Sequence, residues 1–246
     1  MMKTKKVAAY TGTKNLYGDM VVAAKSLLIN SDVDEIWFFT EDDEIGYDIP
    51  EWAKKIIKIR NVSDQKYFKA DGPNMKSNFT YMAMMRATFH KEFPKLDRIL
   101  SLDVDTIVND DISDLWNIDL GEYYYLAAVP EFSRSFRDDI YVNIGVALYN
   151  LEKLRDGKAD EVIKALNEGH YTYLEQDVFN QKCKRQILAI PSEYNATNYT
   201  DPTNHPKIVH YAGVKLNDWR KVPLVERYYK IPWEDIKNYR KRTYNK

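Results

Sequence analysis

Two carboxylates one residue apart, Asp103 and Asp105, follow directly on the apolar run Ile99-Leu100-Ser101-Leu102. Along an extended strand residues i and i+2 point to the same side, so both carboxylates are expected to converge on one point. Paired anionic oxygens suit a hard divalent cation, Mg²⁺ or Mn²⁺, that also takes phosphate oxygens. In open α/β sheets ligands sit beyond the carboxyl ends of strands, where this pair falls. The triplet alone selects nothing. With 23 Asp in 246 residues, about two such triplets arise by chance. A second copy, Asp32-Val33-Asp34, precedes its apolar run Glu35-Ile36-Trp37-Phe38-Phe39 and reads as a solvated loop.

Strands and helices must bring the pair to a site. Val7 to Thr11 reads as a first strand, with a Thr/Gly/Lys/Asn loop after it. A helix follows, with Met20, Ala23, Ala24, Leu27 and Leu28 on one face. Residues 36–39 and 56–62 read as the next strands, so strand, helix and strand form a βαβ unit with a parallel sheet. Residues 70–74 form a turn, and residues 76–92 read as a helix with Phe79, Met82, Met85 and Phe89 on its apolar face. Pro94 ends it before the strand that leads to Asp103. A short capped helix is expected at residues 113–116. Later strands fall at 124–129, 143–151, 187–190 and 208–211, and helices at 159–168 and 175–182. An Arg/Asp-rich loop separates the first two of those strands. No repeat, low-complexity run or flexible linker appears. One α/β domain over residues 1–220 and a basic, aromatic tail over 221–246 is the reading.

Composition narrows the class. Hydrophobic residues make up 44% of the chain and aromatics 13%, enough for a substantial core. A formal net charge of −1 gives no global attraction to nucleic acid. The one cysteine, Cys183, forms no internal disulfide and reads as a small core hydrophobe, in keeping with a reducing compartment. With no apolar run of targeting or membrane-spanning length, a cytoplasmic protein is expected, soluble or peripheral at the inner membrane face.

Five landmarks in order then define a resemblance: the Tyr81-to-Arg86 stretch, LDVDT, NIGVALYNL, EQDVFN and HYAGVK. The chain resembles glycosyltransferase family 8, retaining enzymes of GT-A (Rossmann-like) fold that include glycogenins and bacterial lipooligosaccharide galactosyltransferases. The resemblance implies a mixed, mostly parallel sheet flanked by helices, and transfer of glucose or galactose from a UDP-sugar. It implies a metal, Mn²⁺ or Mg²⁺, on Asp103, Asp105 and His210, with the imidazole favouring Mn²⁺. Arg86 is expected at the donor sugar and phosphate, a task suited to a fixed guanidinium; a surface ion pair is its alternative. Asn143 matches the Asn that contacts the donor sugar. Glu175 and Gln176 match an Asp-Gln pair beside the anomeric carbon, with Asp177 third in that motif. Because a carboxamide is a poor nucleophile, retention need not involve a covalent adduct.

Glu131 stands between a sugar-binding acid and a solvated loop acid. Tyr10, Thr11 and Asn15 are the candidates at base and ribose, with Val104 beside the metal pair; Tyr10 also reads as core. Gly213 and Lys215 correspond to a diphosphate loop. Lys215 comes one residue early for that pattern and lacks the following Pro, so a solvated lysine is its alternative. The acceptor class spans glycan, lipid-linked sugar and protein.

Two other functions fit parts of the pattern. One is a catalytically silent sugar-nucleotide or glycan-binding module. The other is a sugar-nucleotide pyrophosphorylase, disfavoured because the first loop holds one glycine, Gly12. From Lys215 onward ten Lys/Arg face four Asp/Glu, interleaved with Tyr and Trp. This tail is expected either to meet an anionic membrane surface or to pack its rings on the domain.

Overall fold

Short apolar runs become strands because both faces of the sheet are covered. A computed structural model describes residues 5–77, 79–135 and 140–244. The basic start, one residue of the expected 76–92 helix, part of the Arg/Asp-rich loop and the last tail cation lie outside them. Among the described residues, β1 (Val7–Thr11), β2 (Glu35–Thr40), β3 (Ile57–Asn61), β4 (Arg98–Leu102), β6 (Leu126–Pro130), β7 (Val142–Asn150) and β8 (Ile187–Ala189) form one sheet. Its order is β3-β2-β1-β4-β7-β6-β8. The β1–β2, β1–β4, β2–β3 and β6–β8 pairings are parallel, whereas β7 runs antiparallel to both β4 and β6. This is the mixed, mostly parallel sheet of a single α/β domain. A second sheet pairs β5 (Thr106–Val108) with β9 (Ile208–His210), antiparallel.

Period-two alternation divides the core. Ala8, Tyr10, Leu100 and Leu102 face α1 (Tyr17–Asn30), while Val7, Ala9 and Ile99 pack with the residues around Arg86 and with the later helices. Those helices are α3 (Phe89–Glu92), α4 (Leu151–Leu154), α5 (Lys158–Glu168) and α6 (Leu174–Lys182), whereas α2 (Glu51–Lys54), α7 (Leu216–Trp219), α8 (Pro223–Lys230) and α9 (Trp233–Tyr244) add to the core on the α1 side. Cys183 is buried with no disulfide partner, and burial pushes its thiol up to about 12.

Several expectations need correction. The 76–92 helix begins only at Tyr81, as a 3₁₀ segment to Thr88 that continues into α3. Thr80 accepts the Met82 N–H (3.0 Å) and starts it there. Upstream, the Asn74 amide donates to the carbonyls of Leu166 (2.6 Å) and Gly169 (2.8 Å), which holds the chain in turns. Met82, Met85 and Phe89 are buried as expected, but Phe79, ahead of the cap, is 48% exposed. The Asp32–Asp34 copy is no solvated loop. Val33 is fully buried, and Asp34 accepts the Lys6 N–H (2.9 Å).

The stretch beyond residue 220 is folded onto α1, which is why α1 is buried on nearly every face instead of one. Asp19 of α1, 0% exposed, accepts two bonds from Arg220 (2.9 and 2.6 Å) and the Tyr229 hydroxyl. Lys25 donates to the Ile231 carbonyl (3.0 Å) and lies over the Trp233 ring. Trp219 and Tyr228 are buried, so these rings pack on the domain. Arg240, 1% exposed, donates to the carbonyls of Leu28 (2.8 Å), Ser31 (3.2 Å) and Val33 (3.2 Å).

Removing Arg240 strands three carbonyls at the end of α1. Arg240→Ala is therefore expected to destabilise the fold by about 3 kcal/mol in urea unfolding, the scale of a broken buried charged network. Arg240→Lys should recover less than half, since one ammonium cannot span the three carbonyls. Equal stability of wild type and Arg240→Ala would show that these bonds add nothing.

Candidate functional site

The site begins where β4 stops. After Leu102 the chain turns, because the Thr106 hydroxyl (2.7 Å) and N–H (3.2 Å) both donate to the Asp103 carbonyl. Asp103 and Asp105 thus converge through this turn, not through strand alternation as expected. The chain then enters β5, whose Thr106 pairs opposite His210 in β9. That register carries the imidazole to the acids: His210 Nε2 lies 3.5 Å from Asp103 Oδ2 and 3.3 Å from Asp105 Oδ1. One ligating atom from each residue lies within 4.8 Å of the others.

This trio fits a divalent ion in chemistry and in space. Two carboxylates and an imidazole are a donor set for Mn²⁺. Facing them is Gly145, and the lack of a side chain there keeps the cradle open. A Cβ at residue 145 would stand 2.7 Å from Asp103 Oδ2 and 2.8 Å from His210 Nδ1. Burial pushes the Asp105 carboxyl up, but the bond and charge of His210, with Arg86 behind, outweigh it and hold the acid below its usual range.

Arg86, 7% exposed, joins the Asp103–Asp105–His210 trio to the next group. Its Nη2 pairs with Asp103, and its Nη1 meets Glu175 Oε1 (3.2 Å) and the Ile144 carbonyl (3.3 Å). The surface ion pair, its alternative, does not occur. Glu175 is 3% exposed, and burial raises its carboxyl despite the guanidinium.

Beyond Arg86 lies a buried polar pocket. Gly145 N–H donates to Asn143 Oδ1 (3.0 Å), which turns the Asn143 amide nitrogen to Glu131 Oε1 (3.0 Å). Ile144 N–H likewise fixes Gln176 Oε1 (3.1 Å), and Gln176 Nε2 reaches Glu131 Oε1 (3.2 Å) and the Tyr141 hydroxyl (3.2 Å). Glu131 is 5% exposed and so is no solvated loop acid. Asp177, grouped with the donor-binding residues, is joined to that pocket through the Tyr141 hydroxyl. Tyr141 OH (2.5 Å) and Tyr173 N–H (2.8 Å) occupy its two oxygens.

On the opposite flank, Tyr10 needs correction. It is fully buried, edge-on to Phe38, with its hydroxyl unpartnered and its proton held more tightly by burial. Its ring is core, the other reading that the sequence allowed. Thr11 is buried at that end; Asn15 is exposed and accepts from Thr13 Oγ1 (2.7 Å), and Val104 is half-buried. Gly213 has φ +79° with the Tyr199 hydroxyl against it, a conformation suited to glycine. Lys215 is exposed at the start of α7, as its solvated alternative has it. Beside His210 opens a cavity of about 300 Å³, lined by Thr197, Asn198, Asp201 and Tyr211 among others.

Two members of the site carried no sequence signal, the half-buried Tyr141 and the buried Asn195. Asn195 is 0% exposed and its Oδ1 lies 2.8 Å from His210 Nδ1. The pairing of Ala196 with Val209 sets it beside the strand of His210.

Residues 7–222 match the family described as glycosyl transferase family 8. Glycosyltransferase GlyE of Streptococcus pneumoniae is 27% identical over 208 residues, covering 79% of this chain and 48% of that protein. Lipopolysaccharide 1,2-glucosyltransferase of Escherichia coli is 34% identical over 177 residues, covering 57% of this chain and 51% of its own length. The chain thus spans about half the length of these curated relatives. Among solved structures, the galactosyltransferase LgtC in complex with donor and acceptor sugar analogues aligns with TM-score 0.67 at 20% identity, over 93% of this chain and 98% of that one. The GlyE structure aligns at 0.70 and 24% identity, over 97% and 63%. At such identities the likeness shows the fold, that of GT-A glycosyltransferases.

Because the cradle depends on the missing side chain, Gly145→Ala is expected to weaken Mn²⁺ binding about tenfold or more, in the range of a disturbed ligand sphere. The loss of the free-ion electron paramagnetic resonance signal on titration measures it. Unchanged affinity in a folded variant would show that the acids and His210 do not share an ion.

Proposed function

This chain belongs to glycosyl transferase family 8, and we propose that it moves glucose or galactose from a UDP-sugar to an acceptor with retention of anomeric configuration. The acceptor class is a glycan, a lipid-linked sugar or a protein. The observation that carries this reading is the convergence of Asp103, Asp105 and His210 opposite Gly145, beside the buried Glu131–Asn143–Gln176 pocket.

Asp103, Asp105 and His210 would hold Mn²⁺, or Mg²⁺. When bound, the ion supplies positive charge against the charge that grows on the departing diphosphate. Arg86 holds a fixed cation at the junction of Asp103 and Glu175, where sugar and phosphate would meet. Asn143 and Gln176, each pinned by a backbone N–H, orient their amide groups for sugar hydroxyls, with Glu131 as the acceptor both share. The Gln176 carboxamide is a poor nucleophile and Glu175 is turned to Arg86, so neither is assigned a covalent adduct. Thr11, Asn15, Val104 and the backbone at Tyr10 would take base and ribose. Gly213 would border the diphosphate, with Lys215 at the exposed edge of that loop.

No helix among the described residues is long and apolar enough to cross a membrane. Any contact with an anionic membrane surface falls to exposed cations such as Lys230, Lys241 and Arg242, since most rings of α8 and α9 are engaged in packing. Such contact would be weakened by salt.

A donor screen tests the proposal. UDP release from a panel of UDP-sugars, with and without Mn²⁺, should show a hexose preference and loss of turnover in chelator. A silent binding module would bind donor without releasing UDP. Asp103→Asn and Asp105→Asn should each abolish release in a folded protein; full activity of both in excess chelator would sink the metal role.

Residues of the pocket should separate from those at the phosphate. Gln176→Ala and Asn143→Ala are expected to lower kcat by about 10²-fold or more, the scale of lost transition-state contacts, while UDP affinity changes little. Arg86→Ala should damage both. Lost UDP affinity with retained turnover in the first two would reverse the assignment.

A further inference from the structure

We infer that Asn195 is a positioning residue of the metal site: it holds His210 as the Nδ1–H tautomer and ties that ligand to Asn143 of the sugar pocket. The inference rests on reading Asp103, Asp105 and His210 as a metal site.

The side-chain orientation follows from its partners. Asn195 Nδ2 lies 3.0 Å from Asn143 Oδ1 and 3.3 Å from the Asn143 carbonyl. The carbonyl accepts only. Oδ1 is identified as oxygen because Gly145 N–H donates to it (3.0 Å). The Asn195 amide nitrogen therefore faces Asn143, and its oxygen faces His210 Nδ1 at 2.8 Å. An amide oxygen has no proton to give, so the proton in that bond sits on Nδ1.

A neutral imidazole with its proton on Nδ1 presents a bare lone pair at Nε2, the form that binds a metal. Nε2 faces Asp103 Oδ2 and Asp105 Oδ1. With Nδ1 keeping its proton, Nε2 is the nitrogen left to share one cation with both carboxylates, whether a proton or a divalent ion. Such outer partners fix the tautomer and ring angle of ligating histidines, and losing one typically weakens metal binding 10–100-fold.

The surroundings leave Asn195 little freedom. It is 0% exposed, its N–H donates to the Ser192 carbonyl (3.1 Å), and its own carbonyl accepts from Thr200 Oγ1 (2.9 Å). The next residue is locked to the ligand strand: His210 N–H donates to the Ala196 carbonyl (3.0 Å). Through Asn143 the connection continues to Glu131 and from there to Gln176. One carboxamide thus links the ion's imidazole to the residues assigned to the sugar.

Three measurements test this. In wild-type protein with ¹⁵N-labelled histidine, His210 should carry a proton on Nδ1 whether or not Nε2 is also protonated. His210→Gln identifies its signals among the four histidines. An Nε2–H tautomer would overturn the inference. Asn195→Ala should weaken Mn²⁺ binding, read by electron paramagnetic resonance, about 10–100-fold with the fold retained by circular dichroism. Asn195→Asp keeps an oxygen for Nδ1–H but loses the donor to Asn143, so it should return Mn²⁺ affinity towards wild type while kcat stays low. It also serves if the alanine variant does not fold. Wild-type Mn²⁺ binding with an unchanged Asn195→Ala, or an aspartate variant no better than alanine, overturns the role of Asn195 alone. No Mn²⁺ binding by wild type overturns the metal reading, and the inference with it.

Discussion

The antiparallel pairing of β5 with β9 makes one site from residues far apart in the chain. It sets Thr106 opposite His210 and so fixes which side chain reaches the Asp103–Asp105 turn. A slip of one residue would turn the imidazole to the other face. Three residues per strand is little ladder to hold a register, so the pairing leans on its surroundings. Val108 N–H donates to Ser26 Oγ (3.0 Å), and the Val108 carbonyl accepts from Asn30 Nδ2 (2.8 Å), both on α1. Asn30 also donates to the Tyr228 hydroxyl of α8 (2.8 Å). The basic stretch after residue 220 therefore supports α1, α1 supports β5, and β5 places the strand that carries His210.

Charge in the site is lopsided. Among the described residues, Asp103 and Glu175 both pair with the deeply buried guanidinium of Arg86, while Glu131 meets Arg134 from the rim (3.4 Å). Like charges in a poorly solvated space repel strongly. The structure splits the burden: Asp105 is held ionised by His210 and Arg86, while burial drives Glu175 towards its neutral form. A divalent ion between Asp103 and Asp105 would relieve the same repulsion.

How much of this was legible depends on the range of the interaction. The sheet strands and the later helices follow from local apolar periodicity, and they lie within a few residues of where they were expected. Asp103 and Asp105 were legible from their place after a strand. Their convergence was expected from alternation, but a turn closed by Thr106 produces it, and nothing in the spacing distinguishes the two. Tyr10 reads equally as ligand contact or core until the Phe38 contact decides it. Asn195 was invisible because its role depends on a bridge between Ala196 and Val209, and asparagine in a loop carries no sign of its partner. The covering of α1 was hidden for a similar reason: Arg240 and Asp19 look like surface charges until a helix from the far end of the chain buries them.

The third acid of the Glu175-Gln176-Asp177 run shows how backbone and chemistry divide one motif. Leu174, just before it, adopts φ +47°, a left-handed conformation rare for a bulky residue and unfavourable by about 1–2 kcal/mol. Such strain persists only where surrounding contacts over-determine it. Leu174 is 1% exposed, and Asp177 accepts the N–H of Tyr173 immediately before it (2.8 Å). The turn is thus clamped from both sides, and α6 starts with Glu175 facing Arg86 and Gln176 facing Glu131. An aspartate at 175 would be one methylene short of the guanidinium that Glu175 Oε1 now meets at 3.2 Å. Glu175 and Gln176 serve the pocket, and Asp177 serves the bend that aims them.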